Sequence, residues 1–248
     1  MIDGGVDLDR RFGGIIRLYG EKKFRLIQDR HICVVGIGGV GSWVAESLAR
    51  HGIGKITLID MDHIVESNIN RQIHALDSTD GESKIKAMKD RIIDINPTCL
   101  VDCIDDFLEE SNIESYISSK FDFIIDAIDQ SSVKISLAEY CQSKNLSLVM
   151  VGGAGGRVDP ARIKIADLSK TFGDPLISNI RKHFNNKNKL SESKYEIPTI
   201  FSDEPIIKSD KCETDQPGGG LSCDGYGSSL NITATMAFYV VAHIFSKI

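Results

Sequence analysis

Residues 31–36, His-Ile-Cys-Val-Val-Gly, form a short apolar, β-branched run that breaks into Gly36-Ile37-Gly38-Gly39-Val40-Gly41-Ser42. No other stretch restricts the fold as much. An apolar run of this length reads as a buried parallel strand, and glycines at this spacing make a tight turn into a helix. From Trp43 to Arg50 the apolar residues Val44, Ala45, Leu48 and Ala49 recur at helical spacing, and His51-Gly52-Ile53-Gly54 ends that helix. Ile56-Thr57-Leu58-Ile59-Asp60 then supplies a second strand. Strand, glycine turn, helix and strand in this order are a βαβ unit.

The alternation continues downstream. Helices are expected over 84–95, closed by Asn96-Pro97, then over 109–118 and 133–143, and strands over 99–104, 121–127, 146–151 and 162–166. Repeated β–α alternation predicts an α/β fold with a doubly wound, mostly parallel, Rossmann-like sheet. Beyond the Gly152-Gly153-Ala154-Gly155-Gly156 run the alternation weakens, and Gln216-Pro217-Gly218-Gly219-Gly220 reads as a connection to a terminal helix over 232–245. The expected organisation is one domain over 1–248, with an N-terminal helical segment (1–30), a nucleotide-binding core (31–166) and a C-terminal substrate-side region (167–248).

With 248 residues, 42% of them apolar, the chain can bury a core without covalent staples. The six cysteines, Cys33, Cys99, Cys103, Cys141, Cys212 and Cys223, include no Cys-x-x-Cys pair, so neither a disulfide scaffold nor a tetrathiolate zinc site is supported. Cys33 reads as core, and Cys99 and Cys103 lack a matching His pair for a metal. The start of the chain lacks a secretory pattern, and the terminal apolar run is interrupted by Asn231, Thr233, Thr235, His243, Ser246 and Lys247. A cytoplasmic protein with a buried or peripheral terminal helix, and no stable membrane insertion, is expected.

Glycines at such a turn let backbone N–H groups approach a phosphate, and the helix behind them adds the positive end of its dipole. Anion binding follows, but NAD, FAD and ATP are all served by this geometry. Asp60, nineteen residues after Gly41 (60 − 41), stands where a carboxylate accepts from ribose hydroxyls, which a dehydrogenase also needs. The residues that follow, Asp60-Met61-Asp62, Glu66-Ser67-Asn68-Ile69-Asn70-Arg71-Gln72 and then Lys84, shift the balance. A triphosphate carries more charge than a dinucleotide pyrophosphate, and the cations Arg71 and Lys84 are suited to it. The plainer alternative is a solvent-facing Asp60 with Arg71 and Lys84 in ordinary surface pairs.

Gly36-x-Gly38-Gly39-x-Gly41-Ser42, Asp60-x-Asp62, Asn68-x-Asn70-Arg71-Gln72, Lys84 and Asp126-x-x-Asp129 together resemble the ThiF-like ATP-dependent adenylating enzymes. These are the relatives of ubiquitin activation and of molybdopterin and thiamine sulfur-carrier activation. The resemblance implies that Asp60 holds the ribose, Arg71 and Lys84 the phosphates, and Asp129 a Mg²⁺ ion, with Asp62 beside the nucleotide and Asn68 contacting phosphate or metal. Arg11-Phe12-Gly13-Gly14, Leu18-Tyr19-Gly20-Glu21-Lys22, Gln72-Ile73-His74-Ala75-Leu76 and the 152–156 glycine run narrow it to the tRNA threonylcarbamoyladenosine dehydratases. Such enzymes use ATP to cyclise a threonylcarbamoyl group beside the tRNA anticodon. The resemblance also implies a homodimer in which an N-terminal arginine, Arg11 or Arg17, reaches the neighbouring nucleotide site.

Asp126 reads as structural, because it leaves the strand before Asp129. Cys223 reads as structural or substrate-positioning, the alternative being a sulfur-relay acceptor served by a cysteine desulfurase partner. An adenylating activator of a small sulfur-carrier or ubiquitin-like protein is the competing function. Residues 181–194 hold five Lys or Arg against one acid, in a chain of net charge 29 − 35 = −6. That run is either a solvated face or a contact for tRNA phosphates, since an acidic protein must bind nucleic acid through a local patch.

Overall fold

The computed structural model describes residues 7–187, 194–207 and 226–248. In chain order the elements are α1 (Leu8–Tyr19), α2 (Glu21–Gln28), β1 (His31–Val35), α3 (Gly41–Arg50), β2 (Lys55–Ile59), α4 (Lys84–Ile95), β3 (Leu100–Ile104), α5 (Ile113–Tyr116), β4 (Phe123–Asp126), α6 (Ser131–Ser143), β5 (Leu148–Val151), β6 (Ile163–Asp167), α7 (Pro175–Lys187), β7 (Pro198–Ser202) and α8 (Leu230–Lys247). The strands form one sheet in the order β3-β2-β1-β4-β5-β7-β6. All neighbours are parallel except β6, which runs antiparallel to β7 at the far edge. The sheet is therefore doubly wound and mostly parallel.

Register sets where chemistry can occur. Val35 is level with Ile59 of β2 and with Asp126 of β4, so the residues that leave these three strands emerge at one rim. After β3 the chain crosses back to β4 on the other side of β1. That reversal opens a crevice beyond the carboxyl ends of β1 and β4.

Both faces of the sheet are covered. Ile32 and Val34 of β1 pack into one apolar layer with Val44 and Leu48 of α3 and Met236 and Val240 of α8. Cys33 and Val35 point to the opposite layer, with Leu137 of α6 and Ile177 and Phe184 of α7. A strand buried on both faces explains why β1 shows no polar alternation. Cys33 is a core residue there, and burial pushes its thiol far above the ordinary range. The terminal helix lies on α3 through Ile232, Met236, Ala237, Val240 and Ile244. Among the described residues no helix is long and apolar enough to cross a membrane.

Two expectations need correction. The helix expected over 109–118 is reduced to Ile113–Tyr116. Asn112 accepts from the Glu109 N–H and donates to the Phe107 carbonyl, a local side-chain loop that competes with the first turn. Past the 152–156 glycine run, where the sequence shows the alternation weakening, a helix forms: α7, which includes residues 181–187 of the basic run. Its buried Leu176, Ile177, Ile180 and Phe184 share one face, and the Asp174 carboxylate accepts from the Ile177 N–H at its start. The basic side chains of this segment are partly engaged, Arg181 with Thr171 Oγ1 and His183 and Lys187 with Glu139 of α6.

Candidate active site

The turn after β1 can be built only with glycine at two places. Gly36 has φ +85°, and a Cβ there would fall 2.9 Å from the Ala127 carbonyl oxygen. At Gly41 a Cβ would lie 1.8 Å from the Gly36 oxygen, closer than any side chain permits. The turn thus presses its backbone against the loop that leaves β4, and that loop is tied back by the Ala127 N–H donating to the Val35 carbonyl. The side of the turn at Gly38 faces open space. A Cβ at Gly39 would meet Thr233 Cγ2 at 3.0 Å and the Arg71 stem at 3.4 Å, so the Arg71 side chain runs beside the turn.

Asp60, at the end of β2, is buried and links the two strand ends. Its Oδ2 accepts from the Ile37 N–H at 2.6 Å and its Oδ1 from the Asp62 N–H at 2.8 Å. Burial raises its pKa above the ordinary carboxylate value, opposed by nearby Lys84 and by those two N–H donors. A carboxylate offers about four lone-pair sites, so capacity for ribose hydroxyls remains.

Lys84, the first residue of α4, places its Nζ 2.7 Å from Asp62 Oδ2. Only 8% of the lysine side chain is exposed, against 52% of the aspartate. Arg71 donates to the Ser67 carbonyl and Asn70 Oδ1, while its own carbonyl accepts from Trp43 Nε1 at 2.9 Å. Half-burial lowers the pKa of its guanidinium from the ordinary value. Asn68 is buried, and its Oδ1 accepts from the Val65 N–H at 3.3 Å, which closes a short 3-10 turn over Glu66–Asn68.

Asp129 is exposed in the β4–α6 loop. Among the described residues no three or more His, Cys, Asp or Glu gather as metal ligands. Mg²⁺ needs no such cage, since one or two carboxylates and substrate phosphates suffice, and an exposed acid in the loop that packs against the glycine turn fits it. Asp126, three residues earlier, is fully buried and paired with Lys134 Nζ at 2.7 Å. Its Oδ1 also accepts from the Ile128 N–H, and burial raises its pKa.

The rim therefore gathers Gly36, Gly38, Gly39, Gly41, Asp60, Asp62, Lys84, Arg71 and Asp129 from three connections, β1–α3, β2–α4 and β4–α6. Arg11 and Arg17 lie elsewhere on the chain: Arg11 donates to the Asp94 and Ile95 carbonyls at the end of α4, and Arg17 is exposed on α1. Cys223 falls outside the described residues. Lys134, Arg157, Asp174 and His74 were not singled out from the sequence as site residues, though all are buried. The only signal for Arg157 was its position directly after the 152–156 glycine run.

A doubly wound α/β sheet whose rim carries a glycine turn, two cations and the exposed acids Asp62 and Asp129 defines a class. The chain belongs to the ThiF family, whose model matches residues 12–213. It is 43% identical over 244 residues to the tRNA threonylcarbamoyladenosine dehydratase of Haemophilus influenzae, covering 97% of this chain and 94% of that protein. The crystal structure of the Escherichia coli tRNA N6-threonylcarbamoyladenosine dehydratase in complex with ATP matches with a TM-score of 0.87 at 43% identity, over 98% of this chain and 95% of that one. The complex of the same E. coli protein with AMP gives 0.86, again at 43% identity, over 98% and 96%.

Proposed function

We infer that this chain is an ATP-dependent tRNA threonylcarbamoyladenosine dehydratase, forming cyclic threonylcarbamoyladenosine by carboxylate adenylation. The observation that carries the reading is near-full-length likeness to a dehydratase solved with ATP, joined to a rim that collects phosphate-binding groups.

The chemistry follows from the acid. A free carboxylate is a poor acyl donor, because an oxide-like oxygen leaves badly. Its oxygen attacks the α-phosphorus of ATP, pyrophosphate departs, and a mixed acyl–AMP anhydride remains. The carbamoyl nitrogen of the same substrate then attacks the acyl carbon, AMP leaves, and a proton is lost as the hydantoin ring closes. The net change in the base is loss of water. Because this nucleophile is intramolecular, no enzyme thiol is required.

In our assignment Asp60 takes the ribose hydroxyls, and the turn at Gly36, Gly38, Gly39 and Gly41 gives N–H donors to the phosphates. Asp62 and Asn68 border the nucleotide. Arg71 and Lys84 stabilise charge that grows on the phosphoryl oxygens during displacement. Lys84 reaches the nucleotide by leaving Asp62, whose more exposed carboxylate water can solvate in its place. Asp129 would hold Mg²⁺, which when bound neutralises phosphate charge. The partner is a tRNA bearing threonylcarbamoyladenosine, and the working form is a cytoplasmic homodimer, which sedimentation equilibrium checks. Incubation with ATP and modified tRNA, followed by mass spectrometry of the nucleosides, tests the function. Cyclic product should accumulate with AMP, and active, ATP-binding protein that yields none would overturn the assignment.

A further inference from the structure

The loop after β5 holds a buried ion pair that the nucleotide chemistry does not use. Along the rim, Asp60 follows β2, the phosphate turn follows β1 and Asp129 follows β4. On the side away from Asp60 the next strand end is β5, which pairs with β4 through Asp126 and Met150. Its continuation is Gly152-Gly153-Ala154-Gly155-Gly156.

This run is held at three points. The Gly152 N–H donates to the Ile200 carbonyl of β7 at 2.8 Å. Gly153 is gripped on both of its polar groups: its N–H donates to Asp174 Oδ2 at 2.9 Å, and its carbonyl accepts from Arg157 Nη1. Arg157 and Asp174 are themselves paired at 3.3 Å, with side chains 0% and 1% exposed. At the far end Gly156 donates to the Gly227 carbonyl and accepts from the Ile207 N–H. Between these anchors, among the described residues, the N–H groups of Ala154 and Gly155 donate to no acceptor. Ala154 and Gly155 are half-buried, in the connection that leaves β5 next to β4, the strand that precedes Asp129.

Stability does not account for the pair. Arg157 Nε and Nη2 are buried with no partner among the described residues. Each such donor carries an uncompensated desolvation penalty, and buried ion pairs are often no better than apolar replacements. Nor is there room for drift, since a Cβ at Gly152 would meet Asp174 Oδ2 at 2.3 Å. The pair fixes the two peptides that flank Gly153, and because a trans peptide sets its N–H opposite its C=O, the Ala154 N–H points away from Arg157.

We propose that Arg157 and Asp174 are positioning residues that set the 152–156 loop as the seat of the threonylcarbamoyl group, with the Ala154 and Gly155 N–H groups donating to its oxygens. The proposal rests on the dehydratase reading and adds a site for the second reactant. It separates the two substrates: ATP is held by β1, β2 and β4, and the tRNA-borne acid by β5.

Arg157→Lys keeps the charge but loses the planar fork, and Asp174→Asn keeps an acceptor but loses the charge. In folded variants we expect kcat/KM for modified tRNA to fall ~10-fold or more, as misplacement of a bound reactant does. The ATP dissociation constant, read by calorimetry, should stay within about twofold of wild type. Parallel loss for both substrates, or loss for neither, would overturn the proposal. Should the variants not fold, hydrogen exchange of the wild-type peptide spanning residues 150–157 decides it. Protection by a threonylcarbamoylated anticodon stem-loop but not by ATP supports the seat; protection by ATP alone, or by neither, removes it. Wild-type protein that fails to dehydrate the tRNA would instead sink the functional reading.

Discussion

At the residue scale, burial governs what each charge can do. Arg71 lies against the glycine turn with its guanidinium held by Ser67 and Asn70, so in the role proposed for it the charge is oriented before a phosphate arrives. Removing a preorganised charge from a developing oxyanion typically costs 10²-fold or more, so Arg71→Ala and Asp129→Ala should each lower turnover by ~10². Formation of the cyclic nucleoside measures this, and near-normal activity in either variant would show that the phosphate site is elsewhere. His74 makes a different prediction. It is 2% exposed, neither ring nitrogen has a partner among the described residues, and burial with Lys84 and Arg91 nearby lowers its pKa to about 4. The unfolded chain therefore binds a proton at a pH where the native chain does not, so stability falls as pH drops from about 6.5 towards 4. The loss through this one group is on the order of a few kcal/mol. Urea unfolding across that window should show the decline, and His74→Gln should flatten it; an unchanged slope would acquit the histidine. The rim residues Asp60, Arg71 and Lys84 were legible because they fall in ordered motifs. Arg157 and Asp174, or Asp126 and Lys134, pair only once the chain is folded, and spacing carries no trace of such partners.

At the element scale the β1 turn is the least tolerant piece of backbone. Gly41→Ala puts a methyl group into the Gly36 carbonyl, and no side-chain rotation can relieve a backbone clash. We expect ATP affinity to drop more than tenfold with a lower melting temperature, both measurable on purified protein, whereas an unaffected variant would mean that α3 shifts freely. Arg11 offers a cleaner separation of roles. Its Nη1 bonds the Asp94 and Ile95 carbonyls, so it closes the C-terminal end of α4. As an exposed cap its loss in Arg11→Ala should cost about 1 kcal/mol in urea unfolding. Activity lost without that stability change would point instead to a reach into a second protomer. The βαβ alternation through β5 was readable because strands buried on both faces are short apolar runs and their helices keep a 3.6 period. β7 is not legible in the sequence because Pro198-Thr199-Ile200-Phe201-Ser202 follows β6 in the chain yet inserts between β5 and β6, a placement that no local pattern carries. Helix α7 is not legible in the sequence because its four buried residues, Leu176, Ile177, Ile180 and Phe184, are interspersed with a basic, polar surface.

For the whole molecule the balance of charge sets how an acidic protein meets RNA. A net charge of −6 repels a polyanion at long range, so affinity must come from a local concentration of cations. Helix α7 bears such a group, but its members are not equivalent. Lys187 and His183 share Glu139, which offsets part of their charge, whereas Lys182 is exposed and makes no ion pair among the described residues. This helix packs beside α6, and its first turn is capped by Asp174, so it is rigidly joined to the loop proposed to seat the substrate. Each phosphate neutralised releases counterions, and the logarithm of the binding constant falls with the logarithm of salt by about 0.7–0.9 per contact. Lys182→Glu should therefore weaken tRNA binding uniformly across tRNA sequences and reduce the salt slope by about 1, leaving ATP binding alone. Filter binding or anisotropy between 50 and 200 mM KCl, roughly the range over which such slopes are read, resolves this. A slope that does not change in the variant would mean that α7 faces away from the bound RNA, and that the cations serving the phosphates lie on another face.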